Sequence, residues 1–461
     1  MVNSKPPAPG GSNGAVFGWV MFDWASQPFF TLVTTFVFAP YFAAHFIGDA
    51  SRGQSLWAFA VASAGVSVAL LSPVLGAIAD EAGRRKPWIA AASIALVAGC
   101  AALWWAEPGA EHRALFIIAA FCLASIGAEF ATVFTNAMLP DLAGPERIGR
   151  ISGLGWATGY VGGLIALGAM LAVLIGSPQT GKTLIGIDPP AFLAPSSFAG
   201  DRFSGPLSAL WYAIFIVPLF LLTPDRPQRM PIGEAVRAGL TGIAATLRQL
   251  RHHGAVARYL IARMFFYDGL SALFAFGGVY AAGTFGWGAQ QVGVFGIILI
   301  VAATIGAYGG GYLDDLWGPR KLILRGLVLL ALASIGVLSV TADRIFFVVA
   351  SGAARPDAFL SSTAEIVYIA IGCLIGIVAG PIQSASRTLL ARLAPPEHMT
   401  QFFGLYALSG KATAFMAPAT IGLLTAWSGS QRIGISAIVF YLAVGFVLLL
   451  GVPDRRRSGS R

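Results

Sequence analysis

Apolar runs of about 20 residues, the length that crosses ~30 Å of hydrocarbon, recur along the whole chain between short polar segments. Such runs are too long for barrel strands, so the pattern predicts helices, which satisfy their own backbone in lipid. Twelve are expected, at about 15–42, 55–79, 88–106, 114–139, 151–176, 206–223, 256–283, 290–313, 322–341, 364–390, 401–427 and 432–452, called spans 1 to 12 below. Glycines interrupt them, as in GYVGG from Gly159 and GAYGGG from Gly306, and in membrane helices glycine lets neighbours approach closely.

Composition agrees with a membrane protein. Of 461 residues 56% are apolar and 11% charged, against roughly 25% charged in soluble domains. The net charge of +9 raises nucleic acid as a partner, but the distribution decides otherwise. With the N-terminus placed inside, 21 of the 30 Lys and Arg fall on inner segments and seven on outer loops. By the positive-inside rule both termini are expected in the cytoplasm, and the expected location is the bacterial inner membrane. Residues 1–14 form a polar tail without the apolar core of a signal peptide. Cys100, Cys122 and Cys373 lie in different spans, so neither a disulfide framework nor a zinc site is expected.

One stretch competes with this picture. GSPQTGKT, from Gly176 to Thr183, fits the phosphate-binding pattern G-x-x-x-x-G-K-[ST], which needs a strand before it and a helix after it. Here it follows the outer end of span 5 and runs into the proline-containing LIGIDPPAFLAPSS. A nucleotide site is therefore not expected.

The chain repeats itself. Asp23, Ser26 and Phe29 return as Asp268, Ser271 and Phe274; GAIADEAGRRK from Gly76 returns as GYLDDLWGPRK from Gly311; LAGPE from Leu142 returns as LAPPE from Leu393. The offsets are 245, 235 and 251 residues, in the same order. Two six-helix halves in parallel orientation are expected, 15–223 and 256–453, between the tails 1–14 and 454–461. Repeats of this kind place a binding site between halves that rock about it. The basic stretch 224–255 is the linker, read as an amphipathic helix on the inner leaflet.

These segments carry a resemblance. The loop G-x-x-x-D-x-x-G-R-R-K between spans 2 and 3 is similar to the signature of the major facilitator superfamily. FDWASQPFF, NAMLPDL with SGLGWATGYVGG, ARMFFYDGLSALF, and GPIQSASRTLLARLAPPE with FFGLYALSGKATAF resemble its vacuole-effluxer branch, the unknown major facilitator family. Ser26 and Gln27 depart from that branch's commoner Asp-Trp-Ala-Asn-Ser wording. The resemblance implies an all-α polytopic fold of twelve helices in two pseudo-symmetric halves, and, from fungal members, export of amino acids. It also implies that Asp80 meets the N-terminus of span 11 and Asp315 that of span 5, as conformational latches with Arg84, Arg85 and Arg320 beside them. Without the resemblance these loops read as solvated turns.

An ionisable group deep in a span costs roughly 2.5–3.5 kcal/mol on insertion scales, so each needs a partner or a task. Asp23 and Gln27 share a face of span 1, and Glu129 shares one of span 4 with Thr132 and Asn136. Arg263 and Tyr267 share a face of span 7, with Asp268 following, and Lys411 stands about 15 Å into span 11. Gln383, Ser384 and Arg387 share a face of span 10. The functional reading is substrate or proton binding at Asp23, Gln27, Glu129, Asn136, Arg263, Tyr267, Asp268, Gln383 and Lys411. The competing reading is structural pairing, with Arg263 snorkelling to the inner surface and Arg387 anchoring a helix end.

The expected activity is secondary transport of a small solute, with an amino acid suiting the paired acids and bases and protons as the coupling ion. A lipid or lysolipid flippase and a polytopic enzyme are the alternatives. Expected partners are a small-molecule substrate, membrane lipids and protons, with no nucleic acid, cofactor or metal, and a monomer.

Overall fold

The computed structural model describes residues 12–48, 50–176, 180–193, 195–231, 233–238, 253–287, 289–351 and 360–453. Among these, ten helices are long and apolar enough to cross a membrane. They correspond to spans 2 to 10 and span 12, and most extend the expected boundaries by a few residues, as in Ala50–Ala82 for span 2 and Thr363–Leu393 for span 10.

Spans 1 and 11 are broken. Span 1 runs as Asn13–Pro28, then a π-helix Phe29–Phe36, a short helix Phe38–Tyr41 and a second π-segment Phe42–Phe46. The first π-helix ends where Pro40 would collide with the carbonyl of Phe36, four residues back, and Val37 leaves helical geometry at φ −122° and ψ −70°. Span 11 divides into Met399–Lys411 and Met416–Ser428. Pro418 stands in the first turn of the second piece, where its missing N–H is tolerated, and its ring opposes a helical carbonyl at Ala414. Between spans 9 and 10 a small hairpin pairs Arg344–Ile345 with Val349–Ala350.

Two compact units emerge. The first holds the chain as far as Ile151, Thr158–Ile243 and Pro396–Ala407; the second holds Ser152–Ala157, Ala244–Pro395 and the chain from Leu408. Each unit therefore takes one stretch of helix that the order of the repeats gives to the other half. Linker residues 239–252, which carry most of the expected amphipathic helix, lie outside the described residues. Its beginning is seated, with Ala235 buried against Ile78 and Ala82.

Glycines set the packing inside both units. In the second, helix Ala289–Trp317 meets Thr363–Leu393 so closely that a Cβ on Gly306 would strike the Ile377 carbonyl, and one on Gly380 would lie 2.5 Å from that of Ala303. Gly306→Val is expected to cost about 3 kcal/mol, since the obstacle is backbone and cannot rotate away. A melting curve matching the wild type would show that this pair of helices has room to part.

Candidate functional site

In the first unit, Asp80 sits in the last turn of its helix and is 6% exposed. Its oxygens accept the backbone N–H groups of Thr400 (3.1 Å) and Gln401 (2.8 Å), in the first turn of Met399–Lys411. Those donors have no partner within their own helix, and the dipole there favours an anion. The approach depends on two glycines: a Cβ on Gly76 would lie 2.8 Å from the Gln401 Cα, and one on Gly404 would strike the Ser72 carbonyl. Arg85 is 1% exposed and donates from Nη1 to Asp141 (2.7 Å) and from Nε to the Thr400 hydroxyl (3.2 Å). Burial, and then Arg226, pull the Arg85 guanidinium below its ordinary pKa, while Asp141 opposes them. Arg84, by contrast, is exposed and stands 3.8 Å from Asp225, outside this buried cluster.

The second inner loop is built differently. Asp315 is half-buried, and its neighbour Asp314 is fully enclosed. One residue along a helix is a turn of about 100°, so these two acids face different surroundings. Asp314 faces Arg392 at 3.8 Å, and neither of its oxygens has a hydrogen bond among the described residues. Arg392 stands at the repeat position of Asp141, so the halves carry opposite charges there. Arg320 donates to the carbonyls of Leu449 (3.4 Å) and Leu450 (2.7 Å), capping the C-terminus of Gln431–Leu450.

Asp23 and Gln27 are half-buried on Asn13–Pro28 and lie against glycines of Ile148–Ala169. A Cβ on Gly159 would lie 3.3 Å from the Asp23 Cβ, and one on Gly163 would lie 2.8 Å from the Gln27 Cγ. Glu129, half-buried, and Asn136, 6% exposed, project from Ala114–Leu142. Trp19 ties span 1 to that helix by donating to the Thr135 carbonyl at 2.7 Å, and Thr132 is occupied by its own Ala128 carbonyl.

The second unit gathers charge at the break in span 11. Arg263 is 4% exposed, which overturns the snorkelling reading. Its Nη1 donates to the Ser409 hydroxyl (2.8 Å), and its guanidinium lies 4.5 Å over the Tyr267 ring. It thus stands at the C-terminal end of Met399–Lys411, where exposed carbonyls favour a cation. Asp268, 2% exposed, has Thr413 beside it, within the break. Neither carboxylate oxygen, nor the Thr413 hydroxyl, has a hydrogen bond of normal length among the described residues. Lys411 is exposed and Gln383 half-buried. Arg387 is no surface anchor: it is 3% exposed and donates to the Ser152 hydroxyl (2.9 Å) and carbonyl (2.7 Å).

Ser152, Thr413, Asp314 and Asp141 were not singled out from the sequence. A signal existed for Thr413, whose position five residues before Pro418 marks a helix interruption.

Residues 177–179 of the phosphate-loop pattern lie outside the described residues. Its Lys182 pairs with Asp188 (2.7 Å) on the surface, and turns rather than a helix follow it. Among the described residues no three His, Cys, Asp or Glu side chains gather as metal ligands.

Comparison with known proteins adds the kinship. The family model described as "Vacuole effluxer Atg22 like" matches residues 12–459. The uncharacterized MFS-type transporter YxiO of Bacillus subtilis (strain 168) is 24% identical over 440 residues, covering 95% of this chain and 94% of that protein. Autophagy-related protein 22 of Cryptococcus neoformans var. neoformans is 25% identical over 322 residues, 67% of this chain, and the match spans about half (53%) of the fungal protein. Among solved structures, the proton:xylose symporter XylE superposes with a TM-score of 0.66 at 14% identity, over 96% of this chain and 95% of that one. FucP in its outward conformation gives 0.63 at 15%, over 96% and 99%. Likeness at such identities establishes the twelve-helix fold alone.

Proposed function

This chain belongs to the vacuole effluxer Atg22-like family of the major facilitator superfamily, and from that premise we propose that it carries a small solute, an amino acid fitting best, by alternating access. It is a multi-pass membrane protein of MFS type, and its relatives are transporters, which sets the polytopic enzyme aside.

The observation that carries the reading is Asp268. A carboxylate in mid-span is costly, and with no hydrogen bond of normal length to either oxygen among the described residues that cost is only partly offset. An arrangement of this kind is retained where a cation completes it, and a substrate ammonium group or a proton would do so. Arg263, five residues earlier at the same break, supplies the opposite charge, so a zwitterion has a partner at each end. Neutralising the acid on binding gives the free-energy difference that biases one state over another. Asp23 is the repeat counterpart of Asp268 in the first half, Glu129 is a further acid there that could carry a proton, and the Asp80 clamp is the inner latch. We place the protein in the bacterial plasma membrane as a monomer, with cytoplasmic termini.

Proteoliposomes with an imposed pH gradient and a panel of labelled amino acids test this. Gradient-stimulated uptake of at least one amino acid is expected. Movement of headgroup-labelled lipid without amino-acid flux would replace the reading with a flippase.

A further inference from the structure

The linker begins more tightly bound than a tether requires. Asp225 accepts the N–H groups of Arg85 (2.9 Å) and Lys86 (3.1 Å), capping the helix Lys86–Ala102. Arg229 N–H donates to the Ala82 carbonyl (2.9 Å), and the Lys86 ammonium reaches back to the Phe220 carbonyl (2.8 Å). Between them Gly83 turns at φ +87°, with the Pro227 carbonyl 2.6 Å from where a Cβ would stand. Only glycine accepts both the turn and the contact.

Arg226 then grips Asp141 with two prongs, Nε to Oδ2 (2.8 Å) and Nη2 to Oδ1 (2.6 Å), and extends Nη1 to the Pro396 carbonyl (3.3 Å). Asp141 is the same carboxylate that holds Arg85. The sequence Asp80, Arg85, Asp141, Arg226 therefore alternates in sign, and both its ends touch the 396–401 turn. Asp80 takes the N–H groups of that turn and Arg226 takes a carbonyl.

We propose that Arg226 is a positioning residue of the inner latch, so that the head of the linker sets how firmly the 396–401 turn is held; this rests on the latch reading of Asp80. Without Arg226, Asp141 is free to swing, and the enclosed Arg85 loses the fixed carboxylate that aims it at Thr400. Arg226 and Asp141 keep 23% and 36% of their side-chain surface in water, so their pairing is open to salt in a way the buried Asp80 contact is not.

Amide hydrogen exchange of the full chain in lipid nanodiscs, read on peptides covering 396–407, tests this. Asp80→Asn should raise exchange there about tenfold and Arg226→Gln about fivefold. Arg226→Lys should fall between wild type and Gln, because it keeps the charge and loses the fork. In the wild type, 1 M KCl should reproduce most of the Arg226→Gln effect, a measurement that needs no variant. Should Asp80→Asn loosen the turn while Arg226→Gln and salt leave it unchanged, the linker head is only a tether and the inference fails. If Asp80→Asn also changes nothing, the latch reading fails first and takes the inference with it.

Discussion

Asp80→Asn is expected to slow solute flux about tenfold while expression and membrane insertion stay at the wild-type level. The aspartate accepts two N–H groups at a helix N-terminus, and charge-assisted bonds of this kind contribute roughly 1.5–3 kcal/mol each. Asparagine keeps one acceptor and turns an amine toward the second donor, so at least one bond is lost along with the charge that the helix dipole favours. A shift of ~1.4 kcal/mol in the balance between two states is enough for a factor of ten, and alternating access needs both states within reach. Insertion is spared because the residue lies at a span end and the change removes a charge. Initial rates per amount of reconstituted protein decide the matter; a rate equal to the wild type's would show that the clamp does not gate transport.

Asp268→Asn is expected to separate stability from activity more sharply. Removing a buried carboxylate that has no hydrogen bond of normal length among the described residues relieves a desolvation cost, so the melting temperature should rise, by about 2 °C. Gradient-driven uptake should fall at least about a hundredfold, since the group meant to exchange a proton or hold an ammonium no longer ionises. The opposite pattern, a lower melting temperature with uptake intact, would identify Asp268 as a structural partner of Arg263 or Thr413.

Much of this was legible from the sequence, for a physical reason. Hydropathy runs of fixed length mark helices that lipid admits, and the doubled motifs expose the two halves. The Asp80 contact followed from a family resemblance, whereas the pattern of residues by itself also allowed a solvated turn. What stayed hidden depends on rotation and on proline. Asp314 and Asp315 are adjacent letters, and only the helix phase decides which one is enclosed. Arg263 and Arg387 have stems long enough to reach the interface, and only packing shows that both stay inside. Pro40 and Pro418 stood within hydrophobic runs, where hydropathy alone cannot register a missing N–H.

The interruption of span 11 also bears on how the chain is made. Its two pieces, Met399–Lys411 and Met416–Ser428, have 13 residues each, or about 20 Å at 1.5 Å per residue. Neither bridges ~30 Å of hydrocarbon alone, and between them lies a stretch of backbone that lipid would not shelter. Biogenesis therefore cannot proceed one hydrophobic stop at a time here: this segment settles only against neighbours already threaded, and its assembly is cooperative.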